Sequence, residues 1–198
     1  MNLPFDSDII LENERVLLTP LQLSDVEKLL RVSIEDKTLL QYSPRQVYTK
    51  DLLRENIEIM LTEKSNKTRY PFIIFDKQQN SWAGCTSFLN ISNTESRLEI
   101  GSTWIGREFQ KTGLNRNCKF LLLGYCFEKI GTERVEFKTD ERNSASRRAI
   151  EKIGGKFEGI LRSHTLMSDG YRRNTVCYSI LKDEWETIKC NFPLKSPI

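Results

Sequence analysis

Histidine is nearly missing from this chain, since His164 is its single copy among 198 residues. The five cysteines, Cys85, Cys118, Cys126, Cys177 and Cys190, form no Cys-x-x-Cys pair. With so few ligands at the wrong spacings, no metal site is expected. An odd cysteine count leaves one thiol unpaired in any monomer. Thiols scattered through apolar stretches read as reduced, buried side chains in a reducing compartment. Long apolar runs are also missing: none approaches the ~18 residues that a membrane span needs. Residues 1–10 lack the basic start and apolar run of a signal peptide. A soluble, cytoplasmic protein without a membrane partner is the expectation.

Excess charge of one sign is absent too. Lys and Arg number 30 against 27 Asp and Glu, a net +3, too mild to call for a nucleic-acid partner. Arg142, Arg147, Arg148 and Lys152 make a short basic run, but no nucleic-acid-binding motif accompanies it. No repeat, low-complexity tract or Pro/Gly/Ser linker interrupts the sequence. A single domain over residues 1–198 follows, long enough to bury about two thirds of its unfolded surface. Monomer and homodimer both stay open.

What is present has a clear order. Residues 15–21 read as a strand. Ser24-Asp25-Val26-Glu27 is a Ser-x-x-Glu capping box, predicting a helix to about residue 35. Residues 49–64 predict a second helix with Leu52, Leu53, Ile57, Met60 and Leu61 as its apolar stripe. Three strands at 70–76, 82–90 and 97–105 form an antiparallel meander. Residues 113–130 then read as a helix apolar on two sides, hence mostly buried, and Gly131 stops it. Residues 134–139 alternate, with Val135 and Phe137 inward. Strand, helix and strand at this spacing make a right-handed βαβ crossover with parallel strands. A helix at 143–153 ends at Gly154-Gly155. Strands at 156–167 and 172–181, joined by an Asp169-Gly170 turn, precede a short helix near 183–189. The predicted class is α+β, with a mixed, mostly antiparallel sheet.

The segment Gln110-Lys111-Thr112-Gly113-Leu114-Asn115 joins a strand to the buried helix. Unpaired amides and the dipole at a helix N-terminus suit a phosphate or pyrophosphate, and Gly113 permits close backbone approach. Arg107, Lys111 and Arg116 add positive charge. A purely structural turn fits the same residues, because many strand–loop–helix joints carry a glycine.

With the downstream segment 136–143, then Ser146, Ala149, Ile150 and Gly154-Gly155, this stretch resembles the GNAT superfamily of acetyltransferases. That family's acetyl-CoA site is a Gln/Arg-x-x-Gly-x-Gly/Ala segment opening a helix, and Gln110, Gly113 and Asn115 stand at the three marked positions. The resemblance runs from the first strand to about Trp185 and is closest to the branch containing the ribosomal-protein N-terminal acetyltransferases. It implies acetyl-CoA as donor, held in a splayed gap between the strands at 97–105 and 134–139, with backbone groups near Trp104 and Ile105 pairing the pantetheine arm. The same N–H groups can stabilise an oxyanion. It implies transfer to an amine without a covalent enzyme intermediate. Two departures stand out. Asn115 replaces the usual glycine or alanine, and Ile150 replaces a tyrosine that protonates the leaving thiolate in many members.

The chemistry needs a base for the acceptor amine. Glu99, inside the central strand, is the candidate, directly or through water; a carboxylate facing solvent or paired with a cation is the other reading. By resemblance Asn143 holds the cofactor arm, and it also reads as a helix N-cap. Ser146 resembles the acid proposed in the N-terminal acetyltransferase branch. Arg147 and Arg148 meet CoA phosphates or form a solvated helix face. His164 lies in the acceptor pocket or is structural. On branch resemblance the acceptor is a protein or peptide N-terminus, with a small-molecule amine as runner-up. A non-catalytic acyl-CoA-binding module is the rival that keeps the fold.

Overall fold

The computed structural model describes residues 1–192, so the last six residues of the expected 1–198 domain lie outside the described residues. Strands β1 (Leu11–Glu12), β2 (Val16–Pro20), β3 (Arg69–Asp76), β4 (Ser81–Ser92), β5 (Arg97–Ile105), β6 (Arg134–Asp140), β7 (Lys156–Leu166) and β8 (Arg172–Leu181) form one sheet. Their order is β1-β2-β3-β4-β5-β6-β8-β7. All neighbours are antiparallel except β5 and β6. The class is the predicted α+β.

Helices α1 (Asp25–Ile34) and α2 (Lys50–Ser65) pack on β4 and β3, while α3 (Leu114–Gly124) meets β2 and β1, and α4 (Ser144–Lys152) and α5 (Lys182–Cys190) meet β6 and β8. β3, Arg-Tyr-Pro-Phe-Ile-Ile-Phe-Asp, is buried along nearly its whole length, as a strand covered on both faces must be. Phe72 and Phe88 meet edge to face at 5.3 Å in this core, a geometry that adds to plain area burial.

The parallel pair decides the site. β5 and β6 are in register only at Arg97–Arg134, Leu98–Val135 and Glu99–Glu136. Beyond Glu99 they separate. The register between β4 and β5 slips between Cys85 and Ser87, and Ser102 takes a left-handed φ of +47°. A bulge of this kind bends its strand and increases the twist, which swings β5 away from β6.

Two local expectations are corrected. Ser24 is already helical, at φ −61° and ψ −18°, and caps nothing. The turn starts earlier: the Asp25 amide donates to the Gln22 carbonyl at 3.0 Å. The Asp25 carboxylate in turn accepts from the Gln22 amide at 2.8 Å, so the capping frame sits upstream of the Ser-x-x-Glu motif. The predicted continuous helix at 113–130 also divides. α3 ends at Gly124, and Tyr125–Lys129 forms a π turn. Its wider ring, closed by Ile130 N–H on the Tyr125 carbonyl at 3.1 Å, lets Tyr125 stack on Phe88 and Phe127 on Trp185. Such insertions cluster where packing overrides helical regularity. Gly131 follows with φ +69°.

All five thiols are free, and Cys85, Cys118 and Cys126 are buried as expected. Cys190 is not: it is exposed at the end of α5, a helix that buries only Trp185.

Candidate active site

The loop before α3 is built from alternating backbone hands. Gln110 has φ −73°, Lys111 φ +61° and Gly113 φ +90°. Alternation of this kind turns successive amides into one concavity that suits an anion, and the opening turn of α3 adds donors without intrahelical acceptors. Gln110 Nε2 donates to the Ile105 carbonyl at 2.9 Å, so the Gln110 side chain closes the loop. Thr112 Oγ1 donates to the Phe109 carbonyl at 2.7 Å.

A residue from the far end of the chain locks this loop. Arg15 donates to the Thr112 carbonyl at 3.3 Å and to Thr112 Oγ1 at 3.1 Å. The same guanidinium forks onto the fully buried Asp76 carboxylate at 3.0 and 2.8 Å. Asn117 Nδ2 adds a bond to the Gly113 carbonyl at 3.1 Å, and Asn13 Nδ2 holds Asn117 Oδ1 at 3.0 Å.

From Ile100 to Ile105, β5 has no β6 partner, so one edge of its backbone faces the gap. Trp104 and Ile105 pair on the other edge with Cys85 and Gly84. Two buried side-chain atoms lack a hydrogen-bond partner among the described residues: Trp104 Nε1 and Asn115 Oδ1. Buried polar atoms are rarely left so, and both belong to residues assigned to the donor site. An orphan donor, an orphan acceptor and an unpaired strand edge fit a phosphorylated, amide-bearing ligand such as acetyl-CoA. Among the described residues no cluster of metal-ligating side chains occurs, and none of their helices is long and apolar enough to cross a membrane.

Glu99 lies at the point of divergence, 6% exposed. Its Oε2 accepts from Asn90 Nδ2 at 2.8 Å and from Lys138 Nζ at 3.0 Å. Burial alone lowers the Lys138 ammonium, but the Glu99 and Glu136 carboxylates outweigh it and raise it. The Lys138 side chain is therefore held in its charged form. Glu99 Oε1 takes no hydrogen bond from a described residue and lies over Gly101, where an added Cβ would come within 2.9 Å of it. Glu99 thus has the cation partner of its second reading and keeps one oxygen at the mouth of the gap.

Other expected residues fall into place less simply. Asn143 caps α4, its Oδ1 accepting from Ser146 N–H at 3.0 Å. The Ser146 hydroxyl bonds no described residue. Arg147 is turned inward, donating to Tyr178 Oη at 3.2 Å and to the Glu141 carbonyl at 3.5 Å, so its guanidinium is occupied by β8. Arg107 likewise pairs with Asp36 and donates to Thr38 Oγ1 at 3.0 Å, which removes it from the loop's positive charge. His164 is exposed on β7. Its Nδ1 meets Thr175 Oγ1 at 3.0 Å, beside Arg173, which donates to the Tyr42 carbonyl at 3.2 Å. Ile150 is buried and fills the space that a side chain on Gly155 would need.

Sequence reasoning missed Arg15, Asn90, Lys138 and Lys119. The first three act across the sheet, and nothing local marks them. Lys119 had a visible signal, a lysine between Cys118 and Phe120 in a buried stretch.

Comparison with known proteins agrees with this geometry. Residues 15–156 match the model of the acetyltransferase (GNAT) domain. The chain is 35% identical over 106 residues to "Putative ribosomal N-acetyltransferase YdaF" of Bacillus subtilis (strain 168), covering 54% of this chain and 57% of that relative. This match therefore spans little more than half the length of that relative. A GCN5-related N-acetyltransferase from Brucella melitensis superposes with TM-score 0.88 at 26% identity, over 97% of this chain and 88% of that one. Mycobacterium smegmatis RimJ in complex with CoA-disulfide shares the fold, with TM-score 0.75 at 19% identity, over 89% and 88% of the two chains. The left-handed loop, the parted parallel strands and the matched domain together make this chain a member of the GNAT family, an N-acetyltransferase.

Proposed function

We propose that the protein acts as one domain in the cytoplasm and transfers the acetyl group of acetyl-CoA to the α-amine of a protein or peptide. The amine attacks the thioester directly. The observation that carries this reading is the unpaired run of β5 leading into the left-handed loop at the mouth of α3. Lys111, Thr112, Gly113, Leu114 and Asn115 hold the diphosphate through main-chain donors. Backbone groups near Trp104 and Ile105 hold the pantetheine arm as an added strand holds its neighbour. Asn143, at the start of α4, orients the same arm.

Glu99 takes the proton from the acceptor through its unpartnered Oε1, directly or by way of water. An α-amine needs less help than lysine, because it titrates near ~8 rather than ~10.4. The resemblance to ribosomal-protein acetyltransferases supports a polypeptide acceptor. Exposed His164 and half-buried Arg173 lie on the acceptor side. Holding both reactants in one gap supplies much of the rate.

The test is calorimetry with acetyl-CoA, followed by CoA release with a panel of N-terminal peptides and a panel of small amines. Donor binding with peptide-dependent release is the expected result. No donor binding overturns the whole reading, and binding without turnover leaves an acyl-CoA sensor. Turnover confined to small amines overturns the polypeptide acceptor alone.

A further inference from the structure

Beneath the unpaired part of β5 lies a buried cation that the scheme above leaves unused. Lys119, in the second turn of α3, is 6% exposed. Its Nζ donates to Thr103 Oγ1 at 2.6 Å and to Thr86 Oγ1 at 3.4 Å, and the two hydroxyls are 2.8 Å apart. Among the described residues no carboxylate pairs with it. A buried ammonium held only by hydroxyls is costly, and such a cost is often kept at functional positions. Thr103 belongs to the run of β5 without a β6 partner. Thr103 is half-buried, and besides the cluster its hydroxyl makes only a 3.5 Å contact to the Gly101 carbonyl. On α4, Ile150 carries no proton and packs over Gly155, and the Ser146 hydroxyl bonds no described residue.

We propose that the Lys119 ammonium, acting through the Thr103 hydroxyl, supplies the proton taken up by the CoA sulfur as it leaves. This rests on the acetyl-CoA reading above. The bond between the amine nitrogen and the acetyl carbon forms, the carbon–sulfur bond breaks, and its electron pair departs on sulfur. Thr103 gives its hydroxyl proton to that sulfur and receives one from Lys119. The neutral lysine is reprotonated from solvent before the next turnover. Burial, with a weak opposing effect of the neighbouring Cys118, lowers the Lys119 ammonium from 10.5 to about 8. That value nearly matches an ordinary thiol, at about 8.5, as efficient proton exchange requires. Cys118 itself is held protonated by burial, near 12. The other groups facing the cluster, Thr86 on β4 and Thr103 on β5, do not titrate in this range. Lys119 is thus a positioning residue and Thr103 the group that touches the donor.

The discriminating measurement is the ultraviolet absorbance of the thiolate of bound CoA, followed against pH in the parent protein and in Lys119→Met, Thr103→Val and Ser146→Ala. CoA affinity is measured by calorimetry alongside. A cation near the sulfur lowers its titration by about 1–3 pH units. The bound thiol is expected to deprotonate at lower pH in the parent and in Ser146→Ala than in Lys119→Met, with CoA affinity at neutral pH changed less than threefold. Thr103→Val keeps the shape and is expected to lower kcat by about 10–100-fold without raising the donor KM. Identical thiol titrations in parent and Lys119→Met overturn the proposal while the donor reading stands, and a change confined to Ser146→Ala assigns the proton to that serine instead. If the parent binds no CoA, the donor reading fails and this inference fails with it. Should Lys119→Met not fold, the Thr103→Val titration and kcat decide the matter.

Discussion

The two sides of the β5–β6 gap are built on opposite principles. On the β5 side, polar groups are left unspent among the described residues: Trp104 Nε1, Asn115 Oδ1 and the free edge of β5. On the β6 side, charge is nearly all spent within the protein. Lys138 answers both Glu99 and Glu136, while Arg134 answers Glu136 and Glu158. Arg142 answers the buried Asp140 and stacks on Tyr171 at 3.8 Å. Unspent main-chain groups bind one ligand shape regardless of side chain. Self-neutralised side chains instead set a local potential and leave recognition to shape. This is why the donor is legible here and the acceptor is not.

Breaking each side should give a different signature. The largest effect is expected for Glu99→Gln, which keeps the Asn90 and Lys138 geometry but removes the base. Turnover should fall by about 100-fold or more, with acetyl-CoA affinity nearly constant. Steady-state kinetics beside calorimetry checks this, and equal turnover in variant and parent removes Glu99 from the chemistry. Gly113→Val acts on the other side alone. A β-branched residue at φ +90° costs roughly 1–3 kcal/mol, so donor binding should weaken about 10-fold or more. Unchanged donor affinity counts against the loop.

Arg15→Ala leaves the loop sequence intact and removes its brace. The loss of charge-assisted bonds to Thr112 and Asp76 should weaken acetyl-CoA binding about 10-fold and lower the Tm, measured by scanning calorimetry. A Tm loss with unaltered affinity makes Arg15 structural only. The smallest effect is a slope. Lys119 titrates at about 8 folded against 10.5 as its ordinary value, so between these pH values the unfolded chain binds more protons. Stability should therefore rise with pH across that window. Lys119→Met should flatten this rise in denaturant unfolding, and an equal slope in both proteins rules out a depressed Lys119.

Much of the scaffold was legible because its causes are local. β5 occupies the predicted 97–105 without a shift, since alternation and its flanking turns lie within the segment. Thr49 caps α2 through the Leu52 amide at 3.2 Å, and Asn143 caps α4, both as a side chain three residues ahead of its donor can. Two of the errors arose where a distant partner won, and one where a neighbouring turn did. The interior pulled Tyr125 and Phe127 out of α-helical spacing, and Tyr178 on β8 claimed Arg147. The Ser24 motif failed because the turn beginning at Gln22 had already taken the helical frame.

By itself, the order of residues determined the strand–loop–helix–strand series, the glycine at the loop and the absence of a tyrosine at position 150. Spacing and backbone preference act within a few residues, so they can be read along the chain. Tertiary structure alone decided that Arg15 meets Thr112 across 97 positions, that Lys138 meets Glu99, and that β5 parts from β6 after three pairs. Those outcomes depend on sheet order and a bulge that bring distant groups within hydrogen-bonding range, and such energies exist only once the sheet has formed.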